Sequence, residues 1–129
     1  MLGPMLRDSM PYLHNVRDPE GRYAPQAIRL VVEGVLSALA EEEVPVHLSA
    51  HQVAEGLVSR AADQFGLLAA EVLGDWGLRT GRDVGEVVGL LVAWGVLSMS
   101  ESDRLEDFDD FGSLDAELRR TYHIAGFPE

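Results

Sequence analysis

Cysteine is absent from all 129 residues. That removes disulfides, thiolate nucleophiles and cysteine-held zinc or iron–sulfur centres together, so any metal would need oxygen or imidazole ligands. Lysine is absent too: the ten basic residues are all arginine and face 22 acidic ones, for a formal net charge of −12. A nucleic-acid binder draws most of its affinity from cations set against phosphates, so nucleic acid is a disfavoured partner. The same field repels anionic membrane surfaces. Long apolar runs are missing as well. The longest, Val87 to Leu97, would span about 16 Å as a helix, roughly half a bilayer. Residues 1–10 carry Pro4 and Asp8 and read neither as a signal peptide nor as an anchor. A cytoplasmic location is expected. Catalytic signatures are also lacking: no nucleophile elbow, no phosphate-cradling glycine loop, no His-Glu-x-x-His helix. No cofactor is implied.

What remains is an ordinary globular composition, 47 % apolar and 25 % charged, in a length that fits one core. Pro19 and Gly21 mark a turn at residues 18–21. From Pro25, Ile28, Val31, Val32, Val35, Leu36 and Leu39 recur with the period of an amphipathic helix, which Glu41-Glu42-Glu43-Val44-Pro45 ends. Ser49 and Gln52 form a capping box for a second helix with Val53, Leu57, Val58, Ala61 and Phe65 as its buried stripe, stopped by Gly66. A third, shorter helix over 67–76 presents Leu68, Val72, Leu73 and Trp76 on one side. Thr80 caps a fourth that runs to about Trp94 and is apolar on nearly every face, which places it mid-core or at a subunit contact. The glycines at 77, 81, 85, 89 and 95 read as helix stops and close-packing positions.

Beyond Gly95, Val96, Leu97 and Met99 have the composition of a short strand. Six acids then fall within Glu101–Asp110, while Leu105, Phe108 and Phe111 recur every three residues, as on one side of a turn or short helix packed back on the domain. A last helix starts at Ser113 and uses Leu114, Leu118 and Tyr122. The fold expected is a mainly α single domain of four to six helices, with a winged-helix-like variant carrying a small hairpin after the fourth helix. Residues 1–24 form a partly ordered extension, 25–124 the helical domain and 125–129 a tail. The expected core includes Ile28, Val32, Val35, Leu57, Phe65, Leu73, Trp76, Val88, Leu91 and Phe108.

The runs Arg22-Tyr23-Ala24-Pro25, His47-Leu48-Ser49 with Glu55-Gly56, Gln64-Phe65-Gly66, Asp75-Trp76-Gly77-Leu78-Arg79-Thr80 and Asp83-Val84-Gly85-Glu86-Val87-Val88 together resemble a family of small bacterial proteins first catalogued as restricted to Verrucomicrobia and Planctomycetes. The likeness covers about residues 22–118. Where that family tends to have an alanine-glycine-leucine step after the fourth helix, this chain has Trp94-Gly95-Val96. The resemblance implies a shared fold and no assigned activity.

Two constellations have metal-ligand spacing. Asp107, Asp109, Gly112 and Asp115 match positions 1, 3, 6 and 9 of a twelve-residue calcium loop, but Phe111 and Leu118 occupy positions 5 and 12 where oxygen donors belong. A solvated acidic turn accounts for the same residues. His47 and His51 are four apart, with Glu55 a turn further on, yet Ser49 as N-cap leaves His47 outside the helix. The best functional reading is a non-catalytic acidic module that engages another protein or a second copy of itself. A winged-helix-like regulator is the alternative, weakened because its reading helix would offer Asp83 and Glu86 to the DNA. An enzyme or metal protein whose site is assembled from distant residues is the third.

Overall fold

A computed structural model describes residues 18–40, 48–99 and 104–125. Among them are five α-helices and no strand: α1 (Pro25–Ala40), α2 (Ala50–Phe65), α3 (Ala69–Asp75), α4 (Gly81–Ala93) and α5 (Leu114–Ala125). Two 3-10 helices join them, Gly66–Leu68 before α3 and Leu105–Phe111 before α5. The all-helical class expected from the apolar spacing is therefore the observed one.

The boundaries follow from local chemistry. Pro25 occupies the first turn of α1, where a missing N–H costs nothing. At α2 the Ser49 hydroxyl accepts from the Gln52 amide at 3.1 Å and the Gln52 side chain accepts from the Ser49 amide at 2.8 Å. Gly66 ends that helix at φ +57°, a value most side chains avoid. Thr80 and Asp83 make the same reciprocal cap on α4.

α2 is the hub, in contact with every other helical element among the described residues, and its tightest neighbour is α1. The two cross at glycines: a Cβ on Gly56 would lie 2.6 Å from the Gly34 carbonyl oxygen, and one on Gly34 would lie 2.9 Å from the Leu57 Cα. α4, apolar almost all round in sequence, is covered on two sides. One of its faces buries Val84, Val87, Val88 and Leu91. The other carries Gly81, Gly85 and Gly89, one turn apart, and receives the 3-10 helix Leu105–Phe111. At Gly81 an added Cβ would sit 2.2 Å from the Phe108 carbonyl oxygen. The three-residue repeat of Leu105, Phe108 and Phe111 is the 3-10 period itself, so all three point to α4, with Phe108 fully buried.

Three expectations change. Val96–Met99 is not a strand, because the Val96 amide is spent on the Leu91 carbonyl at 2.8 Å, closing α4 past Gly95 at φ +78°. Leu78 does the same at the end of α3, bonding the Leu73 carbonyl at 2.8 Å past Gly77, and both leucine and valine are buried by it. Leu68 faces solvent, because the chain enters α3 through a 3-10 turn and the buried side of α3 is Ala69 and Leu73. Leu36, expected in the α1 stripe, is also exposed. Of the expected core, eight residues are buried; Phe65 and Trp76 are partly buried and meet edge to face at 5.4 Å.

Candidate functional site

The calcium-like acids do not sit in an open loop. Asp107 and Asp109 are exposed on the 3-10 helix, while Asp115 lies in the first turn of α5, 3.3 Å from Arg119. His51 is exposed, with Nε2 2.7 Å from the Glu55 carboxylate and its ring edge-on to Phe111. His47 lies outside the described residues. Among the described residues no group of three or more His, Asp or Glu side chains is placed to hold a metal.

The densest polar cluster is one the spacing does not announce. Asp18 accepts from the amides of Glu20, Arg22 and Tyr23 and so shapes residues 18–24 into a strap. The strap lies on the end of α3, where the Ala24 amide bonds the Trp76 carbonyl at 3.1 Å. Gly77 makes room for it: at φ +96° it accepts a conformation few residues tolerate, and a Cβ there would be 2.3 Å from the Arg22 carbonyl oxygen. Tyr23 is 5 % exposed and belongs to the core, although it precedes the first helix. Its hydroxyl reaches α4, within 2.9 Å of Asp83 Oδ1 and in hydrogen bond with Glu86 Oε2.

One phenolic proton thus faces two carboxylates, and Arg22 supplies the compensating charge, 2.9 Å from Glu86 and 3.9 Å from Asp83. Burial pushes the Tyr23 phenol far above the usual tyrosine range, with the hydrogen bonds to Glu86 and Asp83 and their charges adding to it. Burial also works against the Asp83 charge. The amide of Arg79, the Tyr23 hydroxyl, and the amide and hydroxyl of Thr80 outweigh it, so its pKa falls below the ordinary carboxylate value. Tyrosine stays protonated and aspartate ionised at neutral pH. This chemistry is that of a clasp between strap and helix, with neither group poised to exchange a proton near neutrality.

A second feature is apolar and open. Between α3 and α5 runs a groove of ≈ 460 Å³, floored by the buried Leu73, Leu78, Leu114 and Leu118 and walled by Ala70 and Gly74. Its end is closed where Thr80 and Ser113 pair, with the Gly81 amide on the Gly112 carbonyl at 2.7 Å and the Leu114 amide on the Arg79 carbonyl at 2.9 Å. Leu67 and Leu68, 52 % and 61 % exposed, stand outside this lining, in the 3-10 turn that leads into α3. Along the chain they precede Ala70, the first residue of the groove's α3 wall, by three and two positions. Two smaller grooves, ≈ 230 Å³ between α1 and α2 and ≈ 220 Å³ between α4 and the second 3-10 helix, lie below the usual size for a ligand site.

No protein-family model, no curated protein and no solved structure matches the chain.

Proposed function

We propose that the chain is a non-catalytic protein-interaction module that works through the face of α3. The observation that carries this reading is the adjacent exposure of Leu67 and Leu68 in the turn that leads into α3, whose own residues from Ala70 on wall an apolar groove. Each side chain, a little over half exposed, forgoes roughly 1–2 kcal/mol of burial, and both sit in a short helix that follows the Gly66 turn. The resemblance to the Verrucomicrobia and Planctomycetes family enters this reading as a shared scaffold only. The acidic balance of the chain supports a protein partner over a nucleic acid, and no described helix is long and apolar enough to cross a membrane.

The test is a gentle low-salt purification of tagged protein from its own host, run in parallel with a Leu67→Ser/Leu68→Ser variant and with a nucleic-acid stain. Neither leucine is packed, so the variant should fold within about 0.5 kcal/mol of the parent. A stoichiometric protein that accompanies the parent and is lost with the variant is the expected outcome. Recovery of the same protein by both, of nucleic acid, or of the chain alone would overturn the reading.

A further inference from the structure

We infer that the occupant of the α3/α5 groove is an amphipathic helix with arginine or lysine flanking its apolar stripe. This rests on the interaction reading above and names the chemistry of the partner.

Shape gives the first half of the argument. The groove lies between two helices, its floor is leucine, and its α3 wall drops to a bare backbone at Gly74, where an added Cβ would meet nothing closer than Arg79 Nε at 4.0 Å. A cleft between two helical ridges suits a third ridge with apolar residues at i, i+3, i+4 and i+7. No strand edge exists among the described residues for an extended peptide to join.

Charge gives the second half. No arginine occurs between Arg60 and Arg79, a stretch that contains Asp63, Glu71 and Asp75. Glu71 lines the groove and Asp75 follows it one turn on along α3, both exposed; on the α5 side Asp115 is paired with Arg119, and Arg79 lies across the lining from Glu71, so the unpaired negative charge is on the α3 wall. The net charge of −12 extends the same preference to long range. A second copy of the chain is a poor occupant, because a two-fold contact through this face would set Glu71 and Asp75 against themselves.

The experiment selects from a display library of helical peptides about 15 residues long, near the length at which isolated helices begin to hold in water. Three versions of the full chain serve as bait: the parent, Gly74→Leu, and Glu71→Arg/Asp75→Arg. Gly74→Leu grows into the empty groove without touching the core, so circular dichroism and melting should show an intact fold. Enriched peptides from the parent should combine an apolar stripe with basic flanks. Their affinity should fall about tenfold or more with Gly74→Leu, and the charge-reversed bait should enrich acidic flanks instead. Acid-flanked peptides on the parent, no enrichment, or undiminished binding to Gly74→Leu would overturn the inference, as would a dimer in sedimentation that Gly74→Leu disperses. If the display fails while the host partner still depends on Leu67 and Leu68, only the partner's chemistry is wrong. If that partner is missing as well, the interaction reading falls with it.

Discussion

At the scale of single residues, Tyr23 does the most with one atom. Its hydroxyl ties the strap to α4 through Asp83 and Glu86, and Tyr23→Phe removes that tie, leaving Arg22 as the strap's remaining contact with both carboxylates. A loss of about 1–3 kcal/mol is expected in urea unfolding. Folding raises the phenol's pKa, so the folded chain holds that proton more tightly than the unfolded one. The clasp's contribution is therefore whole below the ordinary tyrosine value of about 10 and declines as pH rises past it. Melting temperatures from pH 8 to 11 should drop for the parent and drop less for Tyr23→Phe. Asp83 has the opposite sign. Its pKa is lowered, so its contribution is present above the ordinary carboxylate value and is lost as pH falls through the lower folded one. Asp83→Ala also removes the side-chain half of the reciprocal cap on α4, leaving the Thr80 hydroxyl in place, and should cost about 2–3 kcal/mol at neutral pH, with the gap to the parent narrowing in acid.

At the scale of elements, glycines set how closely the helices approach, and the sign of a glycine-to-alanine change depends on what lies opposite. In an exposed helix the exchange gains about 1 kcal/mol from propensity. Gly74→Ala should realise that gain, because its Cβ enters open space. Gly56→Ala should lose about 2 kcal/mol or more, because its Cβ would strike the Gly34 backbone and the two best-packed helices would have to part. Gly77→Ala combines a strained φ with a clash against Arg22 and should release the strap. Limited proteolysis would then cut near residues 18–24 in the variant while the parent resists.

At the scale of the whole molecule, one core joins the strap, the five helices and the second 3-10 helix. Phe108 is where the acidic segment is anchored to it, fully buried against Gly81 and Gly85. Phe108→Ala should cost about 3–5 kcal/mol. Because Glu106, Asp107, Asp109 and Asp110 stand exposed around it, the loss of that anchor also lets their mutual repulsion act. Sodium chloride, which screens such repulsion, should recover more stability in Phe108→Ala than in the parent.

Much of this was legible in the chain, because it rests on short-range chemistry. The Ser49–Gln52 capping box, the Thr80 cap, the Gly66 and Gly95 stops and the 3.6-residue stripe of α1 involve residues within a few positions of one another. So does the three-residue period of the second 3-10 helix, which names its own geometry. Tyr23 is different: its partners lie 60 and 63 positions away, and the sole local hint of a polar site was Asp83 three residues past Thr80. The groove was equally hidden, because its floor joins Leu73 and Leu78 to Leu114 and Leu118 from the far end of the chain. The exposure of Leu68 was hidden because that residue looks like core until the turn at Gly66 fixes which side of α3 faces inward. Val96 and Leu97 read as a strand until their amides are seen to close α4. The sequence by itself determined the helical class, the helix ends and the acidic balance, all set by neighbours along the chain. Only the tertiary structure decided the hub at α2, the clasp, and the exposure of Leu67 and Leu68, since each depends on which distant surfaces meet.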